Sequence, residues 1–355
     1  MSELNLDAAL TVSPRKARSL VKRIINAGHI PNIEGPPGTA KTAIAALVAQ
    51  DLNLKLLDVS MTSRMLEDFT GFMNFTEDGR AEMVPLAGFI PMMGYDDVPD
   101  GFDGWLVFLD ELPNASKDLK KACYKLLHQR LMGDRLIHPK VRLMVAGNRA
   151  SDGAAAEEYD NGLKSRLSTI TIKAVLDEWL EDMAYPNKYD RRLIGYLSSH
   201  SSMLHKMDNA GRDLSFPNLR TWSRVADILK DTPEGKLGTD EMILFNGIVG
   251  QEGASGIVAF SEVFDQIPTP AQLLDGTAEL PEAGDLQWAT MVTMLDLLES
   301  EEVAIKFQPI VAAMDAPTRT LFIRMAESRL PELHEIPAYA PLIRQISRAA
   351  AEARI

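Results

Sequence analysis

The chain has 355 residues, 46% hydrophobic and 25% charged, with a formal net charge of −13. That length allows two or three domains with a sizeable core, the acidic balance disfavours wrapping duplex DNA, and no apolar run reads as long enough to span a bilayer. The single cysteine, Cys123, excludes an internal disulfide, and the stretch 1–10 mixes Glu3, Asn5 and Asp7 with leucines, unlike a secretory signal, so the expectation is a cytoplasmic protein with no membrane contact.

Ser13-Pro14 opens the first predicted helix, an N-cap followed by proline at the first helical position. The basic run Arg15, Lys16, Arg18, Lys22 and Arg23 reads as that helix's solvated face rather than a nucleic-acid patch. Ile30–Glu34 is a short strand. Gly35-Pro36-Pro37-Gly38-Thr39-Ala40-Lys41-Thr42 then reads as a phosphate-binding loop. Such a loop needs small residues, so that backbone N–H groups can turn inward around phosphate oxygens, a lysine for the terminal phosphates and a hydroxyl for Mg²⁺. Lys41 and Thr42 fit the last two roles. Ala40 stands where the usual pattern has glycine. It is expected to be the first residue of the following helix, where φ does not require glycine. The run Ala43–Gln50 has no Gly or Pro and forms that helix, whose positive N-terminal end faces the loop.

A strand over Lys55–Val59 precedes a long excursion, Ser60 to Asp103. A parallel crossover needs a helix and little more, so the excess predicts inserted loops. Phe69, Phe72 and Phe75 lie in it, either gripping a partner or packing a hairpin on the core. Trp105–Leu109 reads as a buried parallel strand. It places Asp110 at the sheet's C-terminal edge, where ligands bind. An aspartate there can hold Mg²⁺, and the adjacent Glu111 can act as general base toward water. Val141–Ala146 is the next strand, with Asn148 at its tip as a candidate to orient water or touch a terminal phosphate. Thr169–Lys173 is the last strand. Beyond it the pattern is helical, at Leu176–Ala184, Arg191–Ser199 and Asn218–Lys230, then at Leu286–Leu298 and Pro317–Ser328. Asn187-Lys188-Tyr189-Asp190 matches a guanine-reading tetrapeptide, but it follows a helical pattern rather than a strand.

Gly35–Thr42 resembles a Walker A motif, Leu106–Glu111 a Walker B motif with its catalytic glutamate, and Asn148 is similar to a sensor 1 residue. Over about residues 13–230 the chain resembles the AAA+ ATPases, specifically the MoxR-like group, in which the GPPGTAKT form of the loop is familiar. The stretch Arg64–Gly71 is a partial match to another segment of that group. The resemblance implies an α/β P-loop core with a parallel five-stranded sheet (1–173) and a helical lid (174–232); the helical pattern beyond it adds a C-terminal helical region (233–355). It implies ATP and Mg²⁺ held by Gly35, Pro36, Pro37, Gly38, Thr39, Ala40, Lys41 and Thr42, with Thr42 and Asp110 on the metal and Glu111 and Asn148 in catalysis. It also implies a homo-oligomeric ring, usually hexameric, with an arginine reaching the neighbour's nucleotide. Arg166, in Leu163-Lys164-Ser165-Arg166-Leu167, is the first candidate and Arg149 its rival. Arg220 resembles a sensor 2 arginine on the lid.

These features lead to an ATP hydrolase that remodels a protein partner, one possibility by resemblance being a protein with a von Willebrand A-type domain. The alternatives are a nucleic-acid motor or loader, which the acidic charge disfavours, and a nucleotide-dependent scaffold or switch without sustained turnover. No motif in residues 231–355 carries identifiable chemistry.

Overall fold

The computed structural model describes residues 10–149, 159–207, 215–233, 235–264 and 267–352. The chain divides into two compact units, Met1–Glu178 and Trp179–Ile355.

The first unit is built on a parallel sheet of six strands: β1 (Thr11–Val12), β2 (Ile30–Glu34), β3 (Leu54–Ser60), β6 (Gly104–Asp110), β9 (Val141–Gly147) and β10 (Leu167–Ile172). Their order across the sheet is β1-β10-β2-β9-β6-β3, every neighbouring pair parallel. Five strands were expected. The sixth is β1, whose two residues pair Thr11 with Thr171 and Val12 with Ile172 at one edge; two residues are too few to carry an alternating pattern. Pro31, awkward in a central strand, lies outside the β2–β9 register, which begins at Asn32.

Both faces of the sheet are covered, which is why β6 is apolar without interruption. Leu106 and Phe108 join Ala17, Val21, Ile44 and Val48 on one face. Trp105, Val107 and Leu109 join Leu119, Cys123 and Leu126 on the other. The helix Pro14–Asn26 is capped by Ser13, whose hydroxyl accepts from the Lys16 amide. Its basic face is partly engaged: the Arg18 Nε and the Lys22 ammonium bond the Asp51 carboxylate at 2.8 and 2.7 Å.

The excursion between β3 and β6 holds a short helix, Leu66–Thr70, and an antiparallel hairpin of β4 (Phe72–Phe75) and β5 (Ala81–Val84). Its aromatic residues separate into two classes. Phe69 is 2% exposed and stands edge-on to Phe89, centroids 5.1 Å apart, so of the two readings the core-packing one holds for it. Phe72, Met73 and Phe75 are 53%, 64% and 73% exposed on the hairpin. A second, smaller hairpin, β7 (Leu131–Met132) with β8 (Arg135–Leu136), precedes β9.

The described part of the second unit is helical. Arg191–Ser199, most of it buried, packs against Gly284–Leu297 and Thr239–Phe264, so segments assigned to lid and extension in the sequence share one unit. The Asn187–Asp190 tetrapeptide is a turn ending in a cap: the Asp190 carboxylate accepts from the Arg192 amide and pairs with the Arg192 guanidinium. One expectation needs correcting. The stretch Thr239–Glu262 is long and apolar enough, by length and composition, to cross a membrane. Its backbone breaks at Gly250, with φ 73° and ψ 172°; Phe245, Val249, Ala254 and Ile257 are fully buried while Ile243 and Leu244 are 66% and 50% exposed, so one face packs into the second unit and the other does not.

Candidate functional site

The C-terminal ends of β2, β9 and β6, three consecutive strands of the sheet, bring the predicted residues together. The loop Gly35–Ala40 leaves β2 and runs into the helix Lys41–Asp51. Its first glycine is required by space. A Cβ at Gly35 would lie 2.8 Å from Ile172 Cγ1 and 2.9 Å from the Ile172 carbonyl oxygen. The loop is braced by the Thr39 hydroxyl, which donates to the Pro36 carbonyl at 2.8 Å, and by the Gly35 amide, which donates to the Gly147 carbonyl. Ala40 corrects its sequence expectation: it is not a helical residue but the N-cap, in the left-handed region at φ 66° and ψ 27°. An L-residue with a Cβ is disfavoured there by about 1–2 kcal/mol, which is why the pattern ordinarily has glycine.

The Lys41 ammonium donates to the carbonyls of Gly35 and Pro36 at 2.8 and 3.0 Å and to Asn148 Oδ1 at 2.9 Å. The helix and the tip of β9 thus hold one cation between them. A polyphosphate offers that ammonium anionic oxygens in exchange for neutral ones, and charge-assisted hydrogen bonds are roughly twice as strong. Thr42, beside it, places its hydroxyl 3.3 Å from Asp110 Oδ2.

Asp110 ends β6 and Glu111 turns away from it with φ 58°. The Asp110 carboxyl is pushed above the ordinary carboxylate range, chiefly by burial and further by the charges of Asp58 and Glu111; the Glu111 amide and Lys41 work in the opposite direction. A cation is the natural counterpart of such a group. Thr42 and Asp110 are hard oxygen donors, and among the described residues no group of three or more His, Cys, Asp or Glu converges. One carboxylate and one hydroxyl suit Mg²⁺, which takes its remaining ligands from phosphate and water rather than from a protein cage.

Three contributors escaped the sequence reading. Thr62 donates to Glu111 Oε2 at 3.1 Å, from the turn after β3. Asp58 adds negative charge to Asp110 from β3; an aspartate inside the apolar stretch Leu54–Ser60 was its only signal. Tyr159 is 7% exposed, its buried hydroxyl has no partner among the described residues, and burial, then Glu34, Cys123 and Asp110, push its phenol up.

The arginine candidates differ in setting. Arg149 directly follows Asn148 and is half-buried. Arg166 lies between the turn Asn161–Lys164 and β10; its Nη1 donates to the Gly162 carbonyl at 2.7 Å and the Ser165 hydroxyl at 3.1 Å. Its guanidinium stacks over the Tyr124 ring, 4.3 Å from the centroid. Arg220 belongs to the second unit, exposed in the first turn of the helix Leu219–Leu229, which Asn218 caps. The second unit also has a cavity of about 370 Å³ lined by Asp190, Arg192, Phe264 and Thr293. Its buried Arg192 is already satisfied by Asp190 and by the carbonyls of Pro233 and Gly235.

Residues 33–167 match the model of the AAA domain, dynein-related subfamily. The first unit has the P-loop AAA+ fold. The matched segment runs from β2 to the start of β10 and includes the P-loop, Asp110, Glu111, Asn148 and Arg166. No curated protein matches the chain. Among solved structures, the RuvB Holliday junction branch migration motor of Thermotoga maritima is 14% identical, with 93% of this chain and 86% of that one covered and a TM-score of 0.39. A candidate ATPase from Cytophaga hutchinsonii is 15% identical, with 93% and 81% covered and a TM-score of 0.32. Both likenesses are too remote to bear on activity.

Proposed function

We propose that this protein is a ring-forming ATPase of the MoxR-like AAA+ group that uses Mg-ATP hydrolysis to remodel or activate a protein partner. The observation that carries the reading is the convergence of Lys41, Thr42, Asp110, Glu111 and Asn148 at the ends of three consecutive strands. Lys41 and the loop amides bind the phosphates. Thr42 and Asp110 would hold Mg²⁺, which would supply neutralisation of the phosphate charge. Glu111 accepts a proton from the attacking water. Asn148, already bonded to Lys41, orients the terminal phosphate or the water, and Arg166 of a neighbouring subunit and Arg220 stabilise the transferring group.

A protein partner is favoured by the net charge of −13 and by the exposed Phe72, Met73 and Phe75 on the first hairpin, a concentration of apolar surface suited to gripping a polypeptide. The MoxR resemblance adds a partner with a von Willebrand A-type domain, a homohexameric state and, with the lone cysteine, a cytoplasmic setting.

Glu111→Gln tests the chemistry. ATP binding is expected to persist while turnover falls about 10²–10⁴-fold, the usual range for a lost acid–base group. Unchanged turnover would remove Glu111 from the mechanism. The same variant, loaded with ATP, should retain the partner in a pull-down. Turnover stimulated by single-stranded DNA and lost at moderate salt would favour a nucleic-acid motor instead.

A further inference from the structure

We propose that Tyr124 is a positioning residue for Arg166, setting where the guanidinium is presented to the nucleotide of the adjoining subunit; this rests on the assignment of Arg166 as the arginine acting in trans. The Arg166 guanidinium carbon sits 4.3 Å from the Tyr124 ring centroid. A guanidinium held over a ring face is anchored without spending any of its N–H donors. Hydrogen bonds to the Gly162 carbonyl and the Ser165 hydroxyl account for Nη1 alone. The Nε–H is buried and has no hydrogen-bond partner among the described residues, and no described carboxylate pairs with the group. A cation with no counter-charge is what an anionic ligand completes.

The surroundings show that the ring was accommodated rather than merely adjacent. Gly162, the residue whose carbonyl takes the Arg166 bond, presses its bare Cα against Tyr124: a Cβ there would lie 2.7 Å from Tyr124 Cε2. On the same helix His128 stands edge-on to the ring, centroids 6.2 Å apart. The helix carrying Tyr124, Lys117–Gln129, is capped by Ser116, five residues after Glu111. One helix therefore links the acid pair of its own nucleotide site to the arginine that serves the next one. A simple cap would need only the bond to Gly162. The ring adds a second anchor that fixes where the guanidinium carbon sits, and a misplacement of about 1 Å at such a group can cost about 10²-fold in rate.

The test compares Tyr124→Met, which removes the π face, Tyr124→Phe, which keeps the face without the hydroxyl, Gly162→Ala, which displaces the ring without removing it, and Arg166→Ala. Thermal melting checks the fold of each. Tyr124→Met and Gly162→Ala are expected to lower kcat about 10-fold, a part of the roughly 10³–10⁵-fold that an arginine finger supplies, with KM for ATP within about twofold, as for a group acting only in the transition state. Tyr124→Phe should stay near the parent. Mixing Tyr124→Met with Lys41→Ala subunits should restore turnover, because the Lys41→Ala subunit supplies an intact Tyr124–Arg166 pair. Parent-level kcat in both Tyr124→Met and Gly162→Ala, with Arg166→Ala impaired, overturns the positioning role alone. Recovery on mixing for Arg166→Ala but not for Tyr124→Met also overturns it, since Tyr124 would then act within its own subunit. Full turnover by Arg166→Ala sinks the assignment of the arginine itself and the proposal with it.

Discussion

The Thr62 hydroxyl donates a hydrogen bond to the Glu111 carboxylate, Oγ1 to Oε2 at 3.1 Å. The bond holds the Glu111 side chain on the β3 side of the site. Thr62 thus restrains the residue assigned to activate water. Thr62→Val keeps the shape and removes the donor. With Glu111 no longer held toward β3, basal ATP turnover is expected to rise about fivefold, the equivalent of about 1 kcal/mol in activation free energy, with KM unchanged. Steady-state kinetics decides the matter; an unchanged or lower kcat would show that the bond orients Glu111 productively.

Asp110 carries a conflict between stability and function. Its carboxyl is held above the ordinary range, first by burial and then by Asp58 and Glu111. A folded-state value above the unfolded one means that the folded protein is favoured while Asp110 is protonated and loses that contribution as pH rises through the folded value. Asp110→Asn should therefore melt higher than the parent at neutral pH without nucleotide. The difference should vanish below about pH 3, where both states of the parent are protonated. The same variant should lose the Mg²⁺ dependence of ATP binding. Melting curves across pH, paired with nucleotide titrations with and without Mg²⁺, check both halves.

Ala40 is strained at φ 66°. Ala40→Gly removes about 1–2 kcal/mol of left-handed strain and restores about 0.5–1 kcal/mol of unfolded-chain entropy cost. The net expectation is a gain of about 0.5–1 kcal/mol in urea unfolding with nucleotide affinity retained. Ala40→Val should lose more than 1 kcal/mol, about the level of strain expected for a β-branched residue in this region.

The first hairpin can be blunted without touching the core. Phe72 and Phe75 are 53% and 73% exposed, so Phe72→Ser with Phe75→Ser should leave unfolding within about 0.5 kcal/mol per site and basal ATPase unchanged. Retention of the partner by the Glu111→Gln form should fall. Undiminished retention would place the partner elsewhere.

Phe69 and Phe72 differ in a way that the local sequence does not dictate. Both lie near the helix Leu66–Thr70 in one excursion, yet Phe69 stands against Phe89 in the core and Phe72 faces water. Nothing in a five-residue helix sets its packing face. β1 was invisible for a similar reason, since its two residues are a strand only because β10 is beside them. Thr62 carried no motif; its role comes from β3 and β6 lying side by side, with Ser60 opposite Asp110.

What the sequence determined by itself was the chemistry of a phosphate loop and an acid pair. Gly35–Thr42 and Leu106–Glu111 are local: backbone amides, a lysine, a hydroxyl and carboxylates act within a few residues of the turn or strand end that presents them, so spacing along the chain is enough. The conformation of Ala40, the bond from Thr62 to Glu111 and the seat of Arg166 on Tyr124 were decided only by tertiary structure. Each depends on groups brought together by parallel strands or packed helices, across separations that carry no periodicity in the chain.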